Sequence, residues 1–366
     1  MGSPFSSPIF KGTQRRNSLK KLLYNELDPM PPELLDIIIN YETCEPFGKH
    51  VRSWKIPHSG RTRISSIALG IYFLVAGDTN GRIHFWDSKS FEYLSCFQAH
   101  LHTVSCLLFH SASETQNKTS LFYPESIQQN LFSGSDDHTI KLWDLKTRKC
   151  IQELKINSRC MSLLSYGWLA VRCNRDVQLW HPNENSNQAQ WENTMIPLYG
   201  ISAMCEFPAE SDWSLTNPIL ILAYSDKSND ATVWMYSISK HRFLHSSFHT
   251  NQNPVESLLV QKNFLISSSY DNVSIWNIHV ESPKETLIFS PVRTIDSSSW
   301  IHGICTFKDN MLAIGQSNGR IEIYDTVTGD LINELYANGD YMSTLYSHSN
   351  GSLFAVDKGA TIKQWS

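Results

Sequence analysis

Three arrangements in this 366-residue chain would do chemistry if the fold placed them well. Gly315-Gln316-Ser317-Asn318-Gly319 has the Gly-x-Ser-x-Gly spacing of a nucleophile elbow, which needs a strand, a sharp turn and then a helix. Here strand-like sequence, 320–323, follows the glycine. The same frame recurs at Gly77-Asp78-Thr79-Asn80-Gly81 without a serine, so a hairpin turn is expected at both places. Asp136-Asp137 offers two carboxylates for acid–base work. His100, His102 and His110 are close in sequence, but no second cluster at metal-ligand spacing accompanies them. No Gly-rich phosphate loop precedes a helix. The expectation is a chain that is not an enzyme, with no catalytic centre, cofactor or metal.

The elements around these residues are short strands. Residues 131–133 and 140–143 alternate or run apolar, 150–154 alternate again, and Ser135-Asp136-Asp137-His138 forms a tight turn between the first two. Upstream, the segment from Ala99 to Thr103 opens another apolar strand at 104–109. Four strands with Trp-Asp closing the third make one unit of a radial β array. Such a unit cannot bury both of its faces alone, so copies are required. They are found at Trp86-Asp87, Trp143-Asp144, Trp180-His181, Tyr236-Ser237, Trp276-Asn277, Tyr324-Asp325 and Trp365-Ser366, spaced 57, 37, 56, 40, 48 and 41 residues apart. The long spacings carry insertions at 111–130, 182–193, 208–218 and 279–285.

This pattern resembles the WD40 repeat and implies an all-β, seven-bladed WD40 β-propeller with a short N-terminal helical segment. The resemblance further implies a hydrogen-bonded structural tetrad of His100, Ser133 (or Ser135), Asp137 and Trp143. It takes Asp137 out of the catalytic reckoning and leaves Asp136 in the turn. The chain stops on the third strand of its last blade, and 50–56 precedes the first complete blade without partners, so 50–56 is expected to close blade seven. In the family that the pattern resembles, the face carrying the second-to-third-strand turns and the blade-to-blade loops is the usual peptide-binding face. Arg61, Arg63, His102, Arg159, Arg172, Arg175, Tyr199, Trp300, His302 and Tyr341 are placed there, with Lys227 and Lys358. The arginines suit carboxylate or phosphate recognition, against the plainer alternative of solvated surface. Repeated inner positions that carry Arg in phosphopeptide-reading relatives are assigned to Ser65, Ser105, Met161, Ser202, Glu256, His302 and Ser343, so that specificity is not expected.

A net charge of −4 gives no drive toward nucleic acid or anionic membrane. The 8 cysteines have no Cys-x-x-Cys spacing, and Cys96, Cys106, Cys150 and Cys305 fall in apolar strands as small hydrophobes. A reducing compartment, cytoplasmic or nuclear, is expected.

Residues 1–28 are rich in Ser, Pro and basic side chains and read as a mobile tail. Gly2 fits a myristoylation pattern, the one route to a membrane, and Ser18 follows two arginines as in a kinase site. Residues 29–46 contain a helix start at Pro31-Pro32 with Leu34, Ile37, Ile38 and Tyr41 on one face. Met30-Pro31-Pro32-Glu33-Leu34-Leu35 resembles the opening of an F-box, and the resemblance covers one helix, because strand-like sequence begins near Val51. It implies an adaptor contact through Leu34, Leu35 and Ile38; the alternative is a helix packed on the propeller, which spans 47–366. The function expected is a protein–protein interaction scaffold. The narrower reading is a substrate receptor of a cullin-type ubiquitin ligase, and the alternatives are a general assembly scaffold or a propeller enzyme.

Overall fold

Strands Ile64–Leu69, Phe73–Asp78, Arg82–Asp87 and Tyr93–Gln98 form an antiparallel sheet in sequence order, and this is blade one of the computed structural model. The structure describes residues 50–55, 62–70, 72–111, 129–156, 158–164, 168–173, 176–182, 191–198, 200–207, 219–225, 231–249, 254–281, 286–308, 310–337, 342–347, 351–357 and 361–365. Gly2, Ser18, the segment expected to be a helix with Leu34, Leu35 and Ile38, and Arg61, Arg175, Tyr199, Lys227, Tyr341 and Lys358 lie outside them, as does the side chain of Arg159.

Blades two to six repeat the same order over 104–155, 158–196, 201–249, 257–296 and 301–336. Blade seven contains Met342–Ser347, Leu353–Asp357 and Thr361–Trp365, and its fourth strand is His50–Lys55. That strand pairs antiparallel with Thr361–Trp365, Trp54 opposite Ile362 and Lys55 opposite Thr361. The first strand of every blade packs beside the first strands of both neighbours, and the ring closes from blade seven to blade one. Closing the ring leaves each blade only short, protected edges.

Burial follows position in the blade. The second strands Phe73–Asp78 and Leu353–Asp357 are buried almost throughout, because both faces lie against neighbouring blades. The outer strand Tyr93–Gln98 alternates between half-buried and exposed residues. The core therefore lies between blades. Leu74 and Trp86 of blade one pack with Phe354, Val356 and Ile362 of blade seven, and Val75 and Phe85 pack with Val104, Leu131 and Trp143 of blade two. The Trp markers are the bulky side chains of these seams, which is why their spacing reveals the fold.

Three sequence readings are corrected. Residues 279–281 belong to an extended strand, Asn272–Glu281, that pairs with Thr286–Asp296, so the insertion there is shorter than expected. Cys96 and Cys150 lie exposed on outer strands, whereas Cys305 is buried and its thiol is pushed up to about 12 by that burial. The inner position assigned to Met161 belongs to Arg159. First strands break register at 64/66, 104/106, 158/160, 201/203, 301/303 and 342/344. In blade five Ser257 pairs with Ser268, as Cys106 pairs with Gly134. The equivalent positions are thus 65, 105, 159, 202, 256, 302 and 343. A bulge inserts one extra residue, and counting from the apolar Met161 overlooks it.

Candidate partner-binding face

The network under this face is complete in blade two. Trp143 Nε1 donates to Ser133 Oγ at 2.7 Å, and Ser133 Oγ lies 2.7 Å from His100 Nε2. His100 Nδ1 lies 3.0 Å from Asp137 Oδ2. A serine hydroxyl has one proton to donate. With Trp143 as its donor, Ser133 gives that proton to Nε2, and the neutral imidazole keeps its own proton on Nδ1 for Asp137. Ser133 is therefore the tetrad serine. Ser135 has a different task, donating to the His102 carbonyl at 3.2 Å and accepting from Asp137 N–H. Thr139 is a fifth member that sequence reasoning missed: its hydroxyl donates to Asp137 Oδ1 at 2.7 Å.

Ionisation follows from this packing. Burial is the largest influence on His100 and lowers its pKa, with Asp137 opposing. Burial also opposes the Asp137 charge, but the Thr139 hydroxyl, Leu101 N–H and His100 outweigh it and bring the carboxyl to about 2. Both groups bind protons less readily folded than unfolded, so both stabilise the fold more as pH rises. The His100 contribution is full above the ordinary 6.5 and declines as pH falls below it. The Asp137 contribution is full above 3.8 and is lost as pH falls toward 2. The melting-temperature gap between wild type and His100→Gln is expected to narrow between pH 7 and pH 5; a gap independent of pH would contradict the neutral-imidazole assignment.

The tetrad fixes a loop as well as a blade. Asp137 accepts Leu101 N–H at 2.9 Å, and Asp136 N–H donates to the Thr103 carbonyl at 3.0 Å. The loop between blades one and two is thereby tied to the turn of blade two. Strands alternate in direction, so turns between second and third strands share an end with the blade-to-blade loops. The same ties recur: Thr79 N–H to the Arg63 carbonyl, Ile301 N–H to the Tyr270 carbonyl, and Ser317 N–H to the Trp300 carbonyl. Gly315-Gln316-Ser317-Asn318-Gly319 is one of these turns, between Met311–Gln316 and Arg320–Asp325, with no helix behind Ser317.

Other blades meet the same position differently. Blades one and seven have Ala76 and Ala355 where blade two has Ser133. In blade one, the buried Asp78 Oδ2 lies 3.0 Å from His84 Nε2, and its Oδ1 accepts Asn80 and Arg82 N–H. Blade five keeps Trp276 Nε1 donating to Ser267 Oγ at 3.1 Å, with Asp271 at the tetrad aspartate position. Gly81 closes the blade-one turn at φ 81°. A Cβ there would lie 2.1 Å from the His100 carbonyl oxygen. Gly81→Ala is expected to cost at least about 2 kcal/mol, since left-handed strain and a backbone clash act together; a melting temperature within error of wild type would contradict the tie between this turn and His100.

The expected face residues spread around the ring. Arg63 and His102 are exposed on the blade-one and blade-two sides, and Arg172 is half-buried at the end of a blade-three strand. Trp300 and His302 are neighbours at blade six; Trp300 is 68% exposed, and burial lowers the pKa of His302. The structure does not bring the described arginines into one cluster. Two exposed apolar side chains on this face escaped sequence reasoning, Leu101 at 83% and Tyr270 at 46%. Tyr270 occupies the turn position that Asp136 holds in blade two, and an aromatic at a turn tip is the signal that would have found it.

Comparison with known proteins accords with this geometry. The family model for the WD domain, G-beta repeat, matches residues 91–144. That span takes the fourth strand of blade one and three strands of blade two, the one-strand offset that leaves His50–Lys55 to complete blade seven. Nuclear distribution protein nudF of Aspergillus niger is 24% identical over 74% of this chain and 60% of its own length. Protein SPA1-RELATED 3 of Arabidopsis thaliana is 23% identical over 74% of this chain and 31% of its own. Zinc finger CCCH domain-containing protein 62 of Arabidopsis thaliana is 35% identical over 26% of this chain and 20% of its own. The chain thus spans three fifths or less of these relatives. The β-propeller domain of Myceliophteria thermophila Cps50 (Swd1) superposes with a TM-score of 0.66 at 13% identity, over 86% of this chain and 99% of that one. The chain is a seven-bladed β-propeller that carries a WD40 repeat at residues 91–144.

Proposed function

We propose that this chain is a non-catalytic scaffold that captures a partner polypeptide on the face formed by its blade-to-blade loops and second-to-third-strand turns. The observation that carries the reading is the pairing of exposed apolar side chains with fixed backbone. Leu101, Tyr270 and Trp300 project from loops tied down by backbone hydrogen bonds. Pre-organised apolar anchors hold partners because little ordering entropy remains to be lost on binding. Affinity purification of the full chain from its native cell, beside Leu101→Asp and Trp300→Ala variants, is the test. Partners retained by wild type and lost from the variants are expected; partners equally retained by both variants would place binding elsewhere.

A narrower reading makes the scaffold a substrate receptor of a cullin-type ubiquitin ligase. Its support is the sequence at 30–35, which would present Leu34, Leu35 and Ile38 to an adaptor. Under this reading, Leu34→Ala with Ile38→Ala keeps the melting temperature and abolishes adaptor retention in a pull-down. An early-melting double variant, or a wild-type chain that retains no adaptor, ends it.

A further inference from the structure

Trp300 sits at the tip of a loop that is unusually well fixed. Ser297 N–H donates to the Asp271 carbonyl, Ser297 Oγ donates to the Ser299 carbonyl at 2.7 Å, and Ser299 Oγ lies 2.8 Å from Ser317 Oγ. On one side of it stands Tyr270, with ring centroids 6.2 Å apart and planes inclined by 47°. Glu256, exposed at the inner position of blade five, is held beside the strand leading to Tyr270 by its N–H bond to the Ser268 carbonyl at 2.7 Å, and hydrogen bonding and charge from Glu256 hold the Tyr270 phenol above the ordinary value. We propose that Glu256, Tyr270 and Trp300 form a subsite for a cationic side chain, lysine or arginine, of the bound polypeptide. This rests on the scaffold reading above and specifies the chemistry of its partner.

Charge decides the occupant. Glu256, Asp271 and Asp296 are all exposed on this sector of the face. Arg320, the cation at the start of the adjoining blade-six strand, is held by Glu322 and Glu334. Among the described residues, the sector therefore presents two aromatic faces beside the exposed carboxylates of Glu256 and Asp296. An ammonium or guanidinium is drawn to the negative faces of such rings, and its alkyl stem covers indole surface that water wets poorly. An anionic or phosphorylated segment would be repelled, and a purely apolar one would leave the carboxylates partly desolvated without a partner.

The full chain, labelled with ¹⁵N, would be titrated with acetyl-Gly-Gly-Arg-Gly-Gly-amide and with its citrulline counterpart, which keeps the planar shape but loses the charge and replaces one donating nitrogen by a carbonyl oxygen. Trp300→Phe identifies the Trp300 indole resonance. The arginine peptide is expected to shift that resonance and to bind about three- to ten-fold more tightly than the citrulline peptide. Glu256→Gln should remove most of that preference without changing the melting temperature, since the side chain is exposed. Equal binding of both peptides, or no shift at Trp300, overturns the subsite. In affinity purification, loss of partners from Leu101→Asp but not from Glu256→Gln or Trp300→Ala would overturn the subsite and leave the scaffold standing. A wild-type chain that retains no partner would bring down both.

Discussion

A chain beginning at residue 60 is expected to melt on the order of 10 °C below one beginning at residue 46 and to aggregate on concentration. The shorter chain lacks His50–Lys55, so Thr361–Trp365 loses its antiparallel partner over five paired positions. Each ladder hydrogen bond contributes about 1 kcal/mol net, which puts the direct loss at about 5 kcal/mol. The indirect loss is larger in kind. Thr361–Trp365 is buried throughout, with Lys363 and Gln364 among its residues, and removing its cover wets a strand packed inside the blade, where Gln364 Nε2 donates to Ser352 Oγ at 3.1 Å. The freed backbone becomes an edge able to pair with another copy. Equal melting temperatures and equal solubility would contradict closure of blade seven by this strand.

Ser133→Ala and Asp137→Ala are each expected to lower stability by about 2–4 kcal/mol, Ser133→Ala with the cleaner reading. Alanine at 133 leaves Trp143 N–H without its acceptor and His100 Nε2 without its donor, in a site where Ser133 has 0% exposure. Blades one and seven carry alanine at that position naturally, but blade one places the Asp78–His84 pair close by, and blade two has no such replacement. Asp137→Ala also removes the acceptor of Leu101 N–H, so it should loosen the loop bearing Leu101 and His102. Amide hydrogen exchange at 101–103 should accelerate in Asp137→Ala. Unchanged exchange there, with an unchanged melting temperature, would show that the network does not govern the face.

The parts of this fold legible in the sequence are those where one side chain fills one recurrent niche. Trp86, Trp143 and Trp276 mark third strands because each fills a seam or donates to a fixed partner. His100 and Asp137 are legible only through the resemblance to the WD40 repeat, and the buried imidazole with its carboxylate acceptor gives the physical reason for the match. The bulged first strands were harder: their extra residue is invisible to a period-two reading, and it moved the inner position from Met161 to Arg159. The grouping of Glu256, Tyr270 and Trp300 was not legible, since three residues spread over 44 positions meet only through the packing of blade five against blade six. The exposure of Cys96 and Cys150 was missed for a related reason. Outer strands alternate, and composition does not say which phase faces water.

The proposed scaffold takes its partner on the loop-and-turn face, not on the outer strands. Hydrogen-exchange footprinting of the full chain, alone and with a partner recovered from the native cell, tests it most directly. Protection is expected at 99–103, 270–272 and 297–302. Protection confined to the outer strands, Tyr93–Gln98, Lys149–Lys155 and Leu331–Tyr336, with the loops unchanged, would contradict it.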